Sequence, residues 1–302
     1  MSVDSKEKLP LDRAEIERII ALNREDMERR APFYREKKLR PWHMPYLLRE
    51  VEQVVAALDG FEVPRVLTIG CGVGLVTPLV MERIDGTATA IDVSGKALQL
   101  FRDSLPESVR GRVLTVEVDA ESYLSKTDET YHLIIYSGVL HHIPNYLDVL
   151  KLSSNVIAPG GVIFITKEPA PLVEQGPFGR WLQFVDGNIN KQRSLLRDSV
   201  EESLRYNRRY LRKILPKRSS LYRRIDEEIR QRDLLHNEAE HHSEIDRPAV
   251  LNLLLDAGFD IVVEGSTQPV FNFHLSQRLA DVVSSKVNTL LSFMIIAKKR
   301  DI

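Results

Sequence analysis

The chain has 302 residues, 43% of them hydrophobic and 28% charged, the composition of a soluble globular protein with one large domain and an insertion, or two modest ones. Its 42 Lys and Arg against 43 Asp and Glu leave a formal net charge of −1, which disfavours a wholesale binder of nucleic acid or acidic membrane. One cysteine, Cys71, excludes disulfides within the chain and cysteine-rich metal sites, so no metal is expected and a reducing compartment suits it.

The opening MSVDSKEKLPLDRAE is charged and lacks the apolar centre of a signal peptide. No window reaches the roughly 18 apolar residues of a membrane span. A cytoplasmic protein without a transmembrane segment is the expectation. Residues 11–31 alternate charged and apolar residues at helical spacing, and Pro32 reads as the end of that helix. FYREKKLRPWHMPYL follows, dense in aromatics, and then LLREVEQVVAALDG, a helix closed by Gly60.

From Val63 the period changes. VPRVLTIG is a short β-branched run ending in glycines, as a buried parallel strand does. LVTPLVMERI reads as a helix with Pro78 in its first turn, where proline is tolerated. GTATAIDV, GRVLTVEVD, YHLIIYSG and GVIFITKE read as further strands, separated by SGKALQLFRDSL, capped by Ser94, and NYLDVLKLSSNVI as helices. Strands alternating with helices predict βαβ units and a doubly wound α/β sheet. After Glu168 the alternation lapses for nearly eighty residues. PAVLNLLLDAGFDIVVEG and NTLLSFMIIAKKR then restore a helix and two strands. The predicted organisation is an N-terminal helical cap (1–61), a Rossmann-like core (62–169), a helical insertion acting as a substrate lid (170–245), and the remainder of the core (246–302).

A glycine loop leaving the first strand lies at the carboxyl edge of such a sheet, where ligands bind. Gly70, Gly72 and Gly74 form GxGxG, whereas a dinucleotide fingerprint needs GxGxxG, and here the sixth position is Leu75. No GxxxxGK[ST] phosphate loop is present. Asp92 ends the second strand eighteen residues after Gly74, Asp119 follows the third with Ala120 next, the fourth ends in SGVLHHIPN, and APGG precedes the fifth.

With these motifs in this order, the chain resembles the class I S-adenosylmethionine-dependent methyltransferases, particularly those with a generic small-molecule methyltransferase domain. The resemblance covers residues 63–168 by motif and 246–300 by order of elements. It implies a seven-stranded Rossmann-like sheet and S-adenosyl-L-methionine as cofactor. Carried over by position, Gly70, Cys71, Gly72 and Gly74 line the methionine part. Asp92 holds the ribose diol, Val93 faces the adenine, and Asp119 and Ala120 meet the adenine edge. Ser137 places its carbonyl near the methionine ammonium group. Thr68 departs from the pattern, because the resembling group usually has Asp or Glu there.

Methyl transfer from a sulfonium needs alignment of the nucleophile and sometimes removal of its proton. The resemblance therefore names no universal catalytic residue. His141, His142 and His241 are the catalytic candidates, with a structural or cofactor-pocket role as the alternative for the first two and a surface position for the third. His43 and Glu168 also stand among the candidate bases. In the aromatic segment, Tyr34 and His43 are the candidate pocket members, with packing of the N-terminal helices as the alternative. Between Arg205 and Arg232 there are eleven Lys or Arg residues, which read as a solvated lid face or as a platform for an anionic partner. The expected function is methylation of an O or N nucleophile of a small-molecule acceptor such as a natural product, sugar or lipid head group. Nucleic acid is disfavoured as a partner, and a homo-oligomer is compatible with this reading. RNA or protein methylation through residues 205–232, and a non-catalytic cofactor-binding homologue, are the alternatives.

Overall fold

The computed structural model describes residues 11–38, 44–169, 245–267 and 292–301, with the side chains of 33–38 and 266–267 left aside. Most of the expected lid, the basic segment 205–232, His241 and His43 lie outside the described residues, as does the side chain of Tyr34.

Seven strands form one sheet: β1 (Arg65–Ile69), β2 (Thr87–Asp92), β3 (Val113–Glu117), β4 (Tyr131–Ser137), β5 (Ile157–Pro169), β6 (Phe259–Thr267) and β7 (Ser292–Lys299). Their order is β3-β2-β1-β4-β5-β7-β6. Strands β1 to β5 pair in parallel, while β7 runs antiparallel to both β5 and β6. Strand order reverses between β1 and β4, and the carboxyl ends of these strands therefore open a crevice that no crossover helix fills.

The described helices are α1 (Arg13–Lys38), α2 (Met44–Ala57), α3 (Thr77–Met81), α4 (Gly95–Ser104), α5 (Glu107–Arg110), α6 (Ala120–Leu124), α7 (Tyr146–Val156) and α8 (Arg247–Asp256). Alternation along the strands divides the core in two, because successive side chains point to opposite faces. Val66, Leu133, Ile135 and Phe164 pack with Val51 and Val54 of α2, Val80 of α3 and Phe101 of α4. Leu67, Ile69, Ile134, Tyr136 and Ile165 pack with Leu150 of α7 and Val250 and Leu254 of α8. Each fully buried Ile, Leu or Phe removes enough apolar surface to stabilise the fold by about 1.5–3 kcal/mol, so both faces need a helical layer.

Local signals account for most boundaries. Ser94 caps α4 by accepting from the Ala97 amide at 3.0 Å, and Asp246 caps α8 by accepting from Ala249 at 3.0 Å. The Asp246 amide donates to the Tyr146 hydroxyl at 3.0 Å, which fixes the re-entering chain against α7. Pro32 does not end α1, which continues to Lys38. A proline inside a helix forfeits one backbone hydrogen bond. Here Ala31, fully buried against Val73 and Ala97, holds the helix in place across that defect.

At the amino edge, the Arg65 amide donates to His132 Nδ1 at 2.8 Å and joins the starts of β1 and β4. Burial, reinforced by the nearby Arg65 guanidinium, holds the His132 imidazole below its ordinary value of 6.5. The unfolded chain therefore binds a proton that the folded chain resists, and stability falls as the pH drops through and below about 6.5. In urea titrations at pH 7.5 and 5.5, His132→Asn, which keeps an acceptor but does not titrate, should lose less stability on acidification than the native chain.

Candidate functional site

The loop after β1 adopts backbone that only glycine enters readily. Gly70, Gly72 and Gly74 have φ of +61°, +54° and +79°. Two of them answer to packing within the protein. A Cβ on Gly70 would lie 2.1 Å from Cγ2 of Val139, and one on Gly74 would lie 2.6 Å from the ring of Phe101. The buried Asp92 carboxylate organises the loop. Its Oδ2 accepts from the Gly72 amide at 2.8 Å, and its Oδ1 accepts from the Ser94 amide at 2.9 Å. Thr68 is buried as well, and its hydroxyl meets that of Thr77 at 2.8 Å, joining β1 to the first residue of α3.

Facing this loop, the turn after β4 is held by Glu168, a carboxylate with 0% exposure. Its Oε1 accepts from the amides of Val139 (2.7 Å) and Leu140 (3.0 Å). Its Oε2 meets the amide of His141 at 3.3 Å and His141 Nδ1 at 2.9 Å. A buried charge is tolerable only with such partners. The chain aims Glu168 at this turn by an irregularity: β5 shifts register against β7 between Ile165 and Glu168, and Lys167 sits at φ +61°. Bulges re-aim side chains in this way, and a non-glycine residue at positive φ persists only where its surroundings impose it. Glu50 of α2 supports the bulge, accepting from the Thr166 hydroxyl at 2.8 Å with the Lys167 ammonium 3.7 Å away.

Between the two loops lies a cavity at the β1–β4 switch point. It brings together Gly70, Cys71, Gly72, Asp92, Val93, Asp119, Ala120, Ser137 and His142, all singled out in the sequence. Asp119 also caps α6, its Oδ1 accepting from the Ser122 amide at 2.9 Å. Gly74 is not among the lining residues, and neither is His141, whose ring is turned to Glu168 and lies 4.0 Å from that of His142, tilted by 41°.

The remaining wall is α1, and sequence reasoning passed over it. Ile20, Asn23, Asp26, Met27 and Arg30 line the cavity. Asn23 donates to the His142 carbonyl at 2.7 Å, and Arg24 to that of Val93 at 2.9 Å. Glu28 accepts from the Ser94 hydroxyl and the Lys96 amide, while Arg13 pairs with Glu121 at 2.9 Å. The spacing of 20, 23, 27 and 30 is helical. With two polar members, however, the stripe reads as a solvated face until its neighbours are known.

A methyltransferase domain family model matches residues 34–264. That is more than half of the chain, spanning the glycine loop, both strand-end acids and the turn after β4. The chain belongs to this methyltransferase family. Its class is the S-adenosylmethionine-dependent class I, and its mixed seven-stranded sheet is the one that class displays. The chain is 27% identical over 132 residues to a ubiquinone biosynthesis O-methyltransferase of Vibrio parahaemolyticus, covering 43% of this chain and 54% of that protein. It is equally similar to the Vibrio cholerae protein of that name, over 43% of this chain and 52% of that one. The chain thus spans about half the length of the curated relatives it matches. Among solved structures, it resembles magnesium protoporphyrin IX methyltransferase from Synechocystis with bound S-adenosylhomocysteine. The TM-score is 0.51 and the identity 13%, over 93% of this chain and 99% of that one. The plantazolicin methyltransferase BpumL, also with S-adenosylhomocysteine, gives a TM-score of 0.51 at 13% identity over 95% and 97% of the two chains. These structural likenesses establish the fold.

Two substitutions test the geometry. Glu168→Gln presents an amide to a cluster of backbone donors and should lower the unfolding free energy by about 1–3 kcal/mol in denaturant titrations. Gly70→Ala forces a left-handed alanine, at about 1–2 kcal/mol, and adds the collision with Val139. Adding Val139→Ala to it should recover part of the loss in the same titration.

Proposed function

We propose that this protein transfers the methyl group of S-adenosylmethionine to an O or N nucleophile of a small molecule. The observation that carries the reading is the cavity itself, in which the glycine loop after β1 faces acids at the ends of β2 and β3. When bound there, S-adenosylmethionine supplies a methyl group on a sulfonium centre that already holds a good leaving group.

The residues present fit that cofactor. Asp92 is held by two amides, which orient its carboxylate to accept from the ribose hydroxyls. Val93, Val118 and Ile143 provide apolar walls for the adenine, with Asp119 and the Ala120 amide at its edge. Gly70, Cys71 and Gly72 bring backbone close to the methionine part, and the Ser137 carbonyl accepts from its ammonium group. Gly74 lies outside the cavity lining, and its missing side chain leaves room for the ring of Phe101.

Of the catalytic candidates, His142 lines the cavity, and we assign it to the acceptor's proton. His141 and Glu168 act through the turn that carries His142 and are positioning residues. His43 and His241 lie outside the described residues, and of Tyr34 only the backbone is described. A small-molecule acceptor is supported by the names of the relatives, which include enzymes of ubiquinone biosynthesis and of plantazolicin methylation.

Calorimetry with S-adenosylhomocysteine should show saturable binding by the native protein, and Asp92→Ala should weaken it by about 1–3 kcal/mol. Release of S-adenosylhomocysteine from S-adenosylmethionine should follow addition of a phenol, carboxylate or amine from an acceptor panel, and not of total RNA. Absence of binding at millimolar ligand would overturn the reading. His142→Ala should lower kcat on the acceptor found while leaving S-adenosylhomocysteine affinity within twofold.

A further inference from the structure

The residues assigned to the cofactor stop one strand short of a charged pair. Asp119, Asp92, Gly72 and Ser137 follow the carboxyl ends of β3, β2, β1 and β4. Strand β5 comes next, and there Lys167 meets Glu50 of α2, their side chains only 16% and 7% exposed. We propose that the Lys167 ammonium recognises an anionic group, carboxylate or phosphate, on the small molecule that is methylated. The inference rests on the methyl-transfer reading above and adds to it the chemical class of the acceptor.

The backbone brings Lys167 up to the cavity wall. Gly138, which lines the cavity, donates its amide to the Thr166 carbonyl at 2.8 Å. A Cβ on Gly138 would lie 3.8 Å from Cβ of Lys167, so no side chain stands at the wall position beside the lysine. In-line transfer requires the acceptor to reach the sulfonium from the side that the cofactor leaves open. With adenine at β2 and β3 and the methionine part at β1 and β4, that side is β5.

The bulge in β5 explains why position 167 is left-handed, but not why it carries a lysine. At φ +61° glycine costs least, and any longer side chain adds strain. Residues held in such conformations cluster at active sites and ligand clamps. Nor does Glu50 use up the ammonium. Its Oε2 accepts from the Thr166 hydroxyl at 2.8 Å and stands 3.7 Å from Lys167 Nζ, beyond hydrogen-bond distance. Glu50 thus offsets the charge of a poorly solvated ammonium without taking up its donors. Lysine is a compact charge on a flexible stem, able to turn those donors to an arriving anion. The anion gains a charge-assisted hydrogen bond that a neutral analogue forgoes.

Calorimetry on the full chain saturated with S-adenosylhomocysteine tests this with three probes of similar shape: benzoate, phenyl phosphate and the neutral benzamide. The native protein should bind benzoate or phenyl phosphate roughly tenfold or more tighter than benzamide, as expected of a hydrogen bond between charged groups. Which anion is preferred tells a carboxylate acceptor from a phosphorylated one. Lys167→Met and Lys167→Gly, the second free of the backbone strain, should each abolish the preference. Both should bind S-adenosylhomocysteine within twofold of the native protein, which also reports that they are folded. Glu50→Gln removes the competing carboxylate and should keep or strengthen the preference. No preference for an anion in the native protein, a preference kept in either Lys167 variant, or one lost in Glu50→Gln would overturn the assignment. A native protein that does not bind S-adenosylhomocysteine would instead overturn the methyl-transfer reading, and this inference with it.

Discussion

The site depends on one buried carboxylate. Glu168 is fully buried, so it draws its hydrogen bonds from the turn after β4 and gathers the amides of Val139, Leu140 and His141 around itself. This fixes where Val139 projects, and Val139 in turn occupies the space that a side chain on Gly70 would need. The two loops bounding the cavity are thereby set against each other, one by charge and the other by shape. The strained Lys167 and the register shift in β5 are the local cost of presenting Glu168 at that point, and the ladder on both sides of the shift absorbs it.

A second carboxylate plays the corresponding part on the other side. Asp92 links the glycine loop to the start of α4, and Ser94 passes the connection to Glu28 on α1. The polar contacts of α1 therefore reach three of the loops at the carboxyl edge: the turn after β2, the cap of α6 and the turn after β4. Exposed ion pairs such as Arg13–Glu121 contribute little individually. The burial of Ile19 and Ala31 and the bond from Asn23 to a backbone carbonyl weigh more in keeping this wall against the cavity. The cavity is thus walled on one side by loops at the strand ends and on another by α1, a helix that precedes the sheet in sequence.

What the sequence by itself determined is whatever rests on local chemistry. Short apolar, β-branched runs ending in glycine or aspartate specify buried strands. Ser94 and Asp246 announce helix starts because their oxygens satisfy amides three residues on, and the spacing of Gly70, Gly72, Asp92 and Asp119 places each at the end of a strand. Those signals sufficed for the strands, the crevice and nine of the residues around it. Even there, the position of Gly74 in the motif did not reveal that its neighbour is Phe101. Pro32, a helix terminator by local rules, lies inside α1 because distant packing outweighs one missing hydrogen bond.

What only the tertiary structure decided is whatever rests on contacts between distant segments. The antiparallel course of β7 follows from pairing with β5 and β6, and its residues do not differ from those of a parallel strand. Glu168 reads as one more acid after a strand until the bulge turns it toward residues 139–141, which tells a candidate base from the anchor of a turn. The polar stripe on α1 acquires meaning only when Asn23 meets His142 and Asp26 faces the cavity with Arg30. The physical reason is the same in each case. A hydrogen bond or a burial between residues far apart in sequence leaves no periodicity in the chain, because its partner is chosen by the fold.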